Sequence, residues 1–120
     1  MLMYAWHSVP GVQKFGTYVG NGASDGPFIS CGFKPALIWV KNISSNSTDW
    51  VIFDTTTSNS QHAGNPMFRR FAVNQNSAQG NDNTTNARYD FYSNGFKSVG
   101  GDGTFVNTNG DNYFYCAWAE

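Results

Sequence analysis

The acidic side chains are the first place to look for chemistry, because a hydrolase needs two carboxylates, or a nucleophile with a base, held close together. Seven aspartates are spread along the chain, and most stand beside Gly or Asn, where a carboxylate accepts hydrogen bonds from the backbone of a turn. They are Asp25, Asp49, Asp54, Asp82, Asp90, Asp102 and Asp111. The two histidines, His7 and His62, have no partner nearby in sequence. The pattern predicts no catalytic residues and a protein that is not an enzyme.

The sequence likewise offers few residues that could form a metal or cofactor site. The two histidines and two cysteines are spread from residue 7 to residue 116, which matches no compact zinc spacing. The short loops around Asp25 and Asp102 each offer a single carboxylate, which is too little charge for calcium. We therefore predict no metal and no cofactor.

Sugar recognition asks for less, since an aromatic face packs on the ring and Asn or Asp side chains bond its hydroxyls. The candidate binding residues are Asp49 with its neighbour Trp50, Tyr89 with its neighbour Asp90, and the loop residue Asp102. The alternative for each aromatic residue is a place in the core, which is the commoner role of Trp and Tyr. The composition permits glycan binding without locating it.

The elements that would position these residues read as short strands. Apolar and aromatic runs alternate with Gly, Asn, Ser and Asp throughout, which is typical of an antiparallel β-sandwich. We predict an all-β, antiparallel β-sandwich, of jelly-roll or concanavalin-like type with long polar loops, forming one domain over residues 1–120. The predicted strands are residues 4–7, 15–19, 36–41, 50–54, 67–73, 89–92, 96–99, 104–106 and 113–119.

Turns and loops separate these strands. The stretch 20–27 reads as a loop, Ser93-Asn94-Gly95 as a hairpin turn, and residues 55–66 and 74–86 as long polar surface loops. The predicted core is Phe15, Phe33, Leu37, Ile38, Val40, Val51, Phe53, Phe91, Phe96, Phe114, Cys116 and Trp118. We expect Cys31 and Cys116 to be free thiols, with a disulfide as the alternative.

Composition and charge narrow the range of possible binding partners. Only 12% of the residues are charged, about half the usual share, and the formal net charge is −1. This argues against a nucleic acid or an anionic lipid surface as the partner. The chain shows neither a signal peptide nor an apolar run long enough for a membrane span, so we expect a soluble, unprocessed protein.

Several aromatic and glycine-containing segments occur in a fixed order along the chain. They are Lys14-Phe15-Gly16-Thr17-Tyr18, Asp25-Gly26-Pro27-Phe28, Gly32-Phe33-Lys34-Pro35-Ala36, Asp49-Trp50-Val51-Ile52-Phe53-Asp54, Ser93-Asn94-Gly95-Phe96-Lys97 and Tyr113-Phe114-Tyr115-Cys116-Ala117-Trp118-Ala119-Glu120, with shorter segments at residues 9–11, 20–22 and 89–91. In their order and spacing, these segments resemble a domain of bacteriophage tail-fibre and related virion proteins. The resemblance implies a lectin-like β-sandwich on a phage structural protein, and it supplies no catalytic or ligand-binding residue. Domains of this kind usually lie near the end of a longer fibre, whereas this sequence spans the domain alone, which suggests a stand-alone virion subunit.

Two functions follow from this resemblance. In the first, the chain is a tail-fibre-like adhesin that binds host cell-surface glycan through its polar loops. In the second, it decorates the capsid or tail and packs on neighbouring virion subunits. Either would be assembled in the host cytoplasm and placed on the particle surface, with other virion proteins as partners and a homo-oligomer, preferably a trimer, as its state.

Overall fold

Nine strands form the framework of the part of the chain that the structure describes. The structure is a computed structural model that describes residues 1–57, 65–67, 69–78, 80–81, 88–101, 103 and 105–120. The strands are β1 (Gln13–Val19), β2 (Asp25–Ser30), β3 (Pro35–Asn42), β4 (Trp50–Asp54), β5 (Arg69–Ala72), β6 (Gly80–Asn81), β7 (Arg88–Tyr92), β8 (Gly95–Val99) and β9 (Asn112–Ala119). Within those ranges, the chain has no helix with the length and apolar character needed to cross a membrane.

The strands form two antiparallel sheets. The large sheet has six strands in the order β1-β9-β3-β4-β5-β6, and the small sheet has three in the order β2-β8-β7. The predicted all-β sandwich is therefore confirmed. The β7–β8 hairpin, with Tyr92 opposite Gly95, is as the sequence predicts, and β3 pairs with β4 with Val40 opposite Val51.

Aromatic residues fill the space between the sheets. The ring of Phe53 on β4 meets that of Tyr89 on β7 at 5.0 Å between centroids, and Phe96 on β8 meets Tyr115 on β9 at 5.3 Å. Both pairs are edge-to-face, the arrangement that the charge distribution of aromatic rings favours. The predicted core residues that are buried are Phe33, Ile38, Val40, Val51, Phe53, Phe91, Phe96 and Cys116.

The two side-chain faces of strand β9 are reversed relative to the prediction. Tyr113, Tyr115 and Ala117 face the core, whereas the prediction placed Phe114, Cys116 and Trp118 there. Phe114 and Trp118 are only partly buried, and Cys116 lies outside the core cluster despite its burial. The prediction was wrong because β9 is apolar on both faces, so alternation alone does not say which face turns inward.

The same correction applies to Phe15 on β1 and Leu37 on β3. Both are partly exposed and absent from the core cluster. They belong, with Phe114 and Trp118, to the outer face of the large sheet. This outer face is consequently far more apolar than a solvated sheet face usually is.

Two strand predictions and one loop prediction fail. Residues 4–7 form no strand. In the predicted strand 104–106, residue 104 lies outside the described residues, and residues 105–106 lie in a turn in which Val106 N–H donates to the Gly103 carbonyl at 2.8 Å. Conversely, β2 begins inside the predicted loop 20–27. Gly26 reads as a turn residue, yet it is required in the strand because a Cβ there would lie 2.4 Å from the Ser98 carbonyl oxygen.

The two long polar loops lie partly outside the described residues. Residues 58–64 of the first loop and residues 79 and 82–87 of the second are among those not described. Between them, β5 replaces the longer strand predicted over residues 67–73, and β6 pairs with it inside the second loop.

Candidate functional site

The predicted binding residues lie at separate places on the sandwich. Asp49 and Trp50 are at the start of β4 in the large sheet, and Asp90 lies on β7 in the small sheet. Asp102 lies outside the described residues. The sequence therefore named parts of two surfaces rather than one site.

Tyr89 is a correction. Its side chain is fully buried, and its hydroxyl meets that of Tyr18 inside the core. Burial raises the pKa of Tyr89 well above its ordinary value, so the phenol stays protonated. Because neighbouring strand residues face opposite ways, a partly exposed Asp90 requires an inward Tyr89, and this ring cannot be a ligand platform.

Asp90 belongs instead to a cluster on the outer face of the small sheet. Phe28 on β2 lies opposite Lys97 on β8, and Lys97 lies opposite Asp90 on β7. Tyr92, two residues along β7, shares this face. We call these four residues, Phe28, Asp90, Tyr92 and Lys97, the small-sheet platform.

Two half-exposed rings form the apolar part of the small-sheet platform. Phe28 and Tyr92 remain 46% and 40% exposed, and their centroids are 5.9 Å apart at an interplanar angle of 63°. They can approach because Gly95 stands between them in the sheet, where a Cβ would lie 2.9 Å from the Phe28 ring. The lack of a side chain at Gly95 therefore allows the two rings of the platform to pack together.

Charged groups surround these rings. The Tyr92 hydroxyl donates to Asp90 Oδ2 at 3.2 Å, and Lys97 Nζ forms an ion pair with the exposed Asp25. The hydrogen bond to Asp25 raises the pKa of Lys97, so the ammonium is fully charged at neutral pH. Desolvation and the nearby Asp90 carboxylate raise the pKa of Tyr92, which keeps its hydroxyl as a donor.

A second surface is a groove on the outer face of the large sheet. Its volume is about 750 Å³, and its wall is mostly apolar. Strands β1, β3, β4 and β9 form its floor, and residues 1–8, which have no regular secondary structure and which we call the arm, line it at Tyr4, Ala5 and Trp6. The main aromatic and apolar side chains around it are Trp6, Phe15, Trp39, Trp50, Val73 and Phe114.

The aromatic rings of the groove pack on one another. Trp50 meets Trp39 at 5.6 Å and Phe114 at 6.2 Å between centroids, both edge-to-face. Trp6 of the arm lies 6.5 Å from Phe15. The buried Trp39 indole N–H finds no hydrogen-bond acceptor in the described part of the chain.

Asp49 lies near the end of the groove and is already engaged. Its Oδ1 accepts hydrogen bonds from Asn74 Nδ2 at 3.1 Å and Gln75 Nε2 at 2.7 Å. Asn74 itself lines the groove. Asp49 therefore connects the start of β4 to the turn after β5, and Asn74 is the polar amide that faces the groove.

The thiols are not set up as nucleophiles. Cys31 and Cys116 are free and buried, as predicted. Burial raises the pKa of each thiol to about 11, so both are protonated at neutral pH. Among the residues that the structure describes, no three His, Cys, Asp or Glu side chains gather in a way that could hold a metal ion.

Sequence reasoning missed Phe28, Tyr92 and Lys97. The signal for Tyr92 and Lys97 was present, because the Asn94-Gly95 hairpin and the alternation of β7 place both on the face of Asp90. Phe28 was hidden by its place beside Pro27 in an apparent loop. The groove was missed because Phe15, Phe114 and Cys116 of its floor were predicted to lie in the core.

Comparison with known proteins assigns the chain to a family whose function is unknown. No curated protein and no solved structure matches the chain. A family model, described as "Domain of unknown function (DUF7483)", matches residues 1–120. Since the match covers the whole chain, this protein is a member of the DUF7483 family.

Proposed function

We propose that this chain is a non-enzymatic binding module on the surface of a bacteriophage particle, a tail-fibre-like adhesin that binds host cell-surface glycan. The observation that supports glycan binding most directly is the small-sheet platform, where Phe28 and Tyr92 lie beside Asp90 and Lys97. The phage setting is supported by the resemblance in motif order described above. The proposal moves the binding surface from the polar loops to the face of the small sheet.

The chemistry of the platform suits a sugar. A pyranose ring has an apolar C–H face, which packs on aromatic rings, and hydroxyls around its edge that both donate and accept hydrogen bonds. Asp90 offers acceptors and the Lys97 ammonium offers donors, so both hydroxyl roles can be met. The Tyr92 hydroxyl, held by Asp90, fixes the orientation of that carboxylate.

The same surface is poorly suited to catalysis or to purely apolar contacts. Its carboxylate and ammonium carry opposite charges and stand in one row across the sheet, where they attract each other. The rings stay about half exposed without a partner, which is uncommon for Phe and typical of a binding surface. A polar, hydroxyl-rich ligand satisfies both the rings and the charges.

A glycan array carrying bacterial surface polysaccharides tests the proposal. We expect the wild-type chain to bind a subset of the glycans, and Tyr92→Ala or Asp90→Asn to weaken that binding about tenfold or more, which is about 1.4 kcal/mol. Phe71→Ala is the matched control, because Phe71 is 39% exposed but lies on β5 of the large sheet. Binding that Tyr92→Ala leaves unchanged, or that no glycan elicits from the wild type, would overturn the proposal.

The second candidate function is decoration of the capsid or tail by packing on neighbouring subunits. The apolar groove on the large sheet favours it, since a surface of that kind is usually covered by protein. Quantitative mass spectrometry of purified particles separates the two candidates. A copy number equal to that of the major capsid or tube protein supports decoration, and a few copies at the fibre tips support the adhesin.

A further inference from the structure

We infer that the groove on the large sheet binds the arm of a second copy of this chain, so that copies assemble by exchanging residues 1–3. This goes beyond the proposed function and does not depend on it, because it concerns the opposite face of the sandwich. The inference rests on the arm, on the groove and on their presence in the same molecule.

The arm is apolar and poorly attached. Met1, Leu2 and Met3 are almost completely exposed, and Tyr4 and Trp6 are more than half exposed. The hydrogen bonds to the arm lie at its far end, where Gln13 Nε2 donates to the His7 carbonyl at 2.7 Å and Phe15 N–H donates to Ser8 Oγ at 3.2 Å. Within the described part of the chain, residues 1–6 have no hydrogen-bond partner.

The groove stays open although the arm lies against it. Tyr4, Ala5 and Trp6 form part of its wall, and about 750 Å³ remains unfilled. The side chains around this space carry no charge. Apolar surface of this kind gains about 25 cal/mol for each Å² removed from water, so an apolar occupant is favoured.

The arm's own first residues are badly placed to fill this space. The chain lies along the wall at Tyr4, Ala5 and Trp6, and its preceding residues point into solvent. Met1, Leu2 and Met3 therefore leave the groove of their own molecule unfilled. The same three residues of a second copy are available to fill it.

Self-complementarity favours another copy over an unrelated partner. Each molecule carries one apolar segment that contacts nothing and one apolar groove that is unfilled, so a closed symmetric ring of two or three copies satisfies both in every molecule. Residues 1–6 have no charged side chain, and the net charge of −1 gives little repulsion between copies.

The first test is the mass of the full chain in solution, measured by light scattering after size exclusion. We expect two or three copies for the wild type, and a dissociation constant at least about tenfold higher for the double variant Leu2→Glu/Met3→Glu. Ile43→Glu is the matched control, since Ile43 is also an exposed apolar residue but does not line the groove. A wild-type chain that is monomeric at its highest soluble concentration would overturn the inference.

The second test locates the contact. Met3→Cys and Val73→Cys are made as separate proteins, mixed and oxidised, so that a disulfide between these positions can form only between molecules. Val73 is exposed at the edge of the groove, and both variants are made on a Cys31→Ala/Cys116→Ala background because Cys116 itself lines the groove. We expect a cross-linked pair from this mixture and none from Met3→Cys mixed with Ile43→Cys. An assembly that persists without the Met3–Val73 cross-link, and that Leu2→Glu/Met3→Glu leaves intact, would contradict arm exchange.

Discussion

The hydroxyl of Tyr18 lies in the core between two other polar groups. It contacts the Val106 carbonyl at 2.8 Å and also the hydroxyl of Tyr89. A carbonyl can only accept, so Tyr18 donates to Val106 and accepts from Tyr89. At the scale of single residues, this order of donors means that removing the Tyr18 hydroxyl breaks two hydrogen bonds, whereas removing the Tyr89 hydroxyl breaks one of them.

We therefore expect Tyr18→Phe to cost more stability than Tyr89→Phe. The first change takes a partner from both Val106 and Tyr89 in the core and should lower the free energy of unfolding by about 1–3 kcal/mol. The second leaves the bond between Tyr18 and Val106 in place and should cost less. Urea denaturation of both variants measures the difference, with Tyr92→Phe as a surface control. Equal costs would contradict the assigned donor order.

At the scale of the strands, β2 and β8 are held unusually close at Gly95, as they are at Gly26. A Cβ at Gly95 would lie 2.1 Å from the Ile29 carbonyl oxygen, which is backbone and cannot move independently. At Gly16 on β1, the nearest atom to such a Cβ is the Tyr115 hydroxyl at 2.9 Å, which is the end of a side chain. The small sheet therefore depends on a glycine more than the edge of the large sheet does.

We predict that Gly95→Ala destabilises the protein by about 1–3 kcal/mol, because the two strands must separate to admit the methyl group. Gly16→Ala should cost less, since the Tyr115 side chain can shift. Thermal unfolding followed by far-ultraviolet circular dichroism compares the two variants. If Gly16→Ala is the more damaging change, the close approach of β2 and β8 is not what requires Gly95.

Sequence patterns predicted strands well and their faces less well. Val51 and Phe53 of β4 alternate with the more exposed Trp50 and Ile52, and their inward direction was expected correctly. On β9, both faces are apolar, so the same reasoning could not choose between Tyr115 and Cys116. The choice depends on what each face packs against, which is a property of the assembled sandwich.

The binding surfaces were hardest to predict because their members come from distant parts of the chain. Phe28 and Lys97 are neighbours only through the pairing of β2 with β8. The arm and the floor of the groove meet only after β1 has paired with β9. Single residues such as Trp50 and Asp90 could be named from their types, but the set around each could not.

At the scale of the whole molecule, burial acts on several weak acids. Burial raises the pKa of Cys31 and Cys116 from 9.0 to about 11 and that of Tyr115 from 10.0 to about 12. It also raises the pKa of Tyr18 and Tyr89. All five groups are neutral when protonated, so the folded state keeps its protons to a higher pH than the unfolded chain does.

Stability should therefore fall in alkali. Below about pH 8 these groups are protonated in both states and contribute no slope, whereas above about pH 9 the unfolded chain loses protons first and the free energy of unfolding decreases. Urea titrations between pH 7 and pH 11 measure this fall. The double variant Cys31→Ala/Cys116→Ala should show a shallower fall, and a profile that stays flat up to pH 11 would contradict the burial of these groups.

The placement of the tryptophans makes the groove accessible to measurement by tryptophan fluorescence. The core cluster between the sheets consists of Tyr, Phe and aliphatic residues, while Trp6, Trp39 and Trp50 line the groove and Trp118 packs on Phe15 next to it. The intrinsic fluorescence of the native chain therefore originates on one outer face. A blue shift in emission as the concentration rises would report that this face has become dry, with no dye attached.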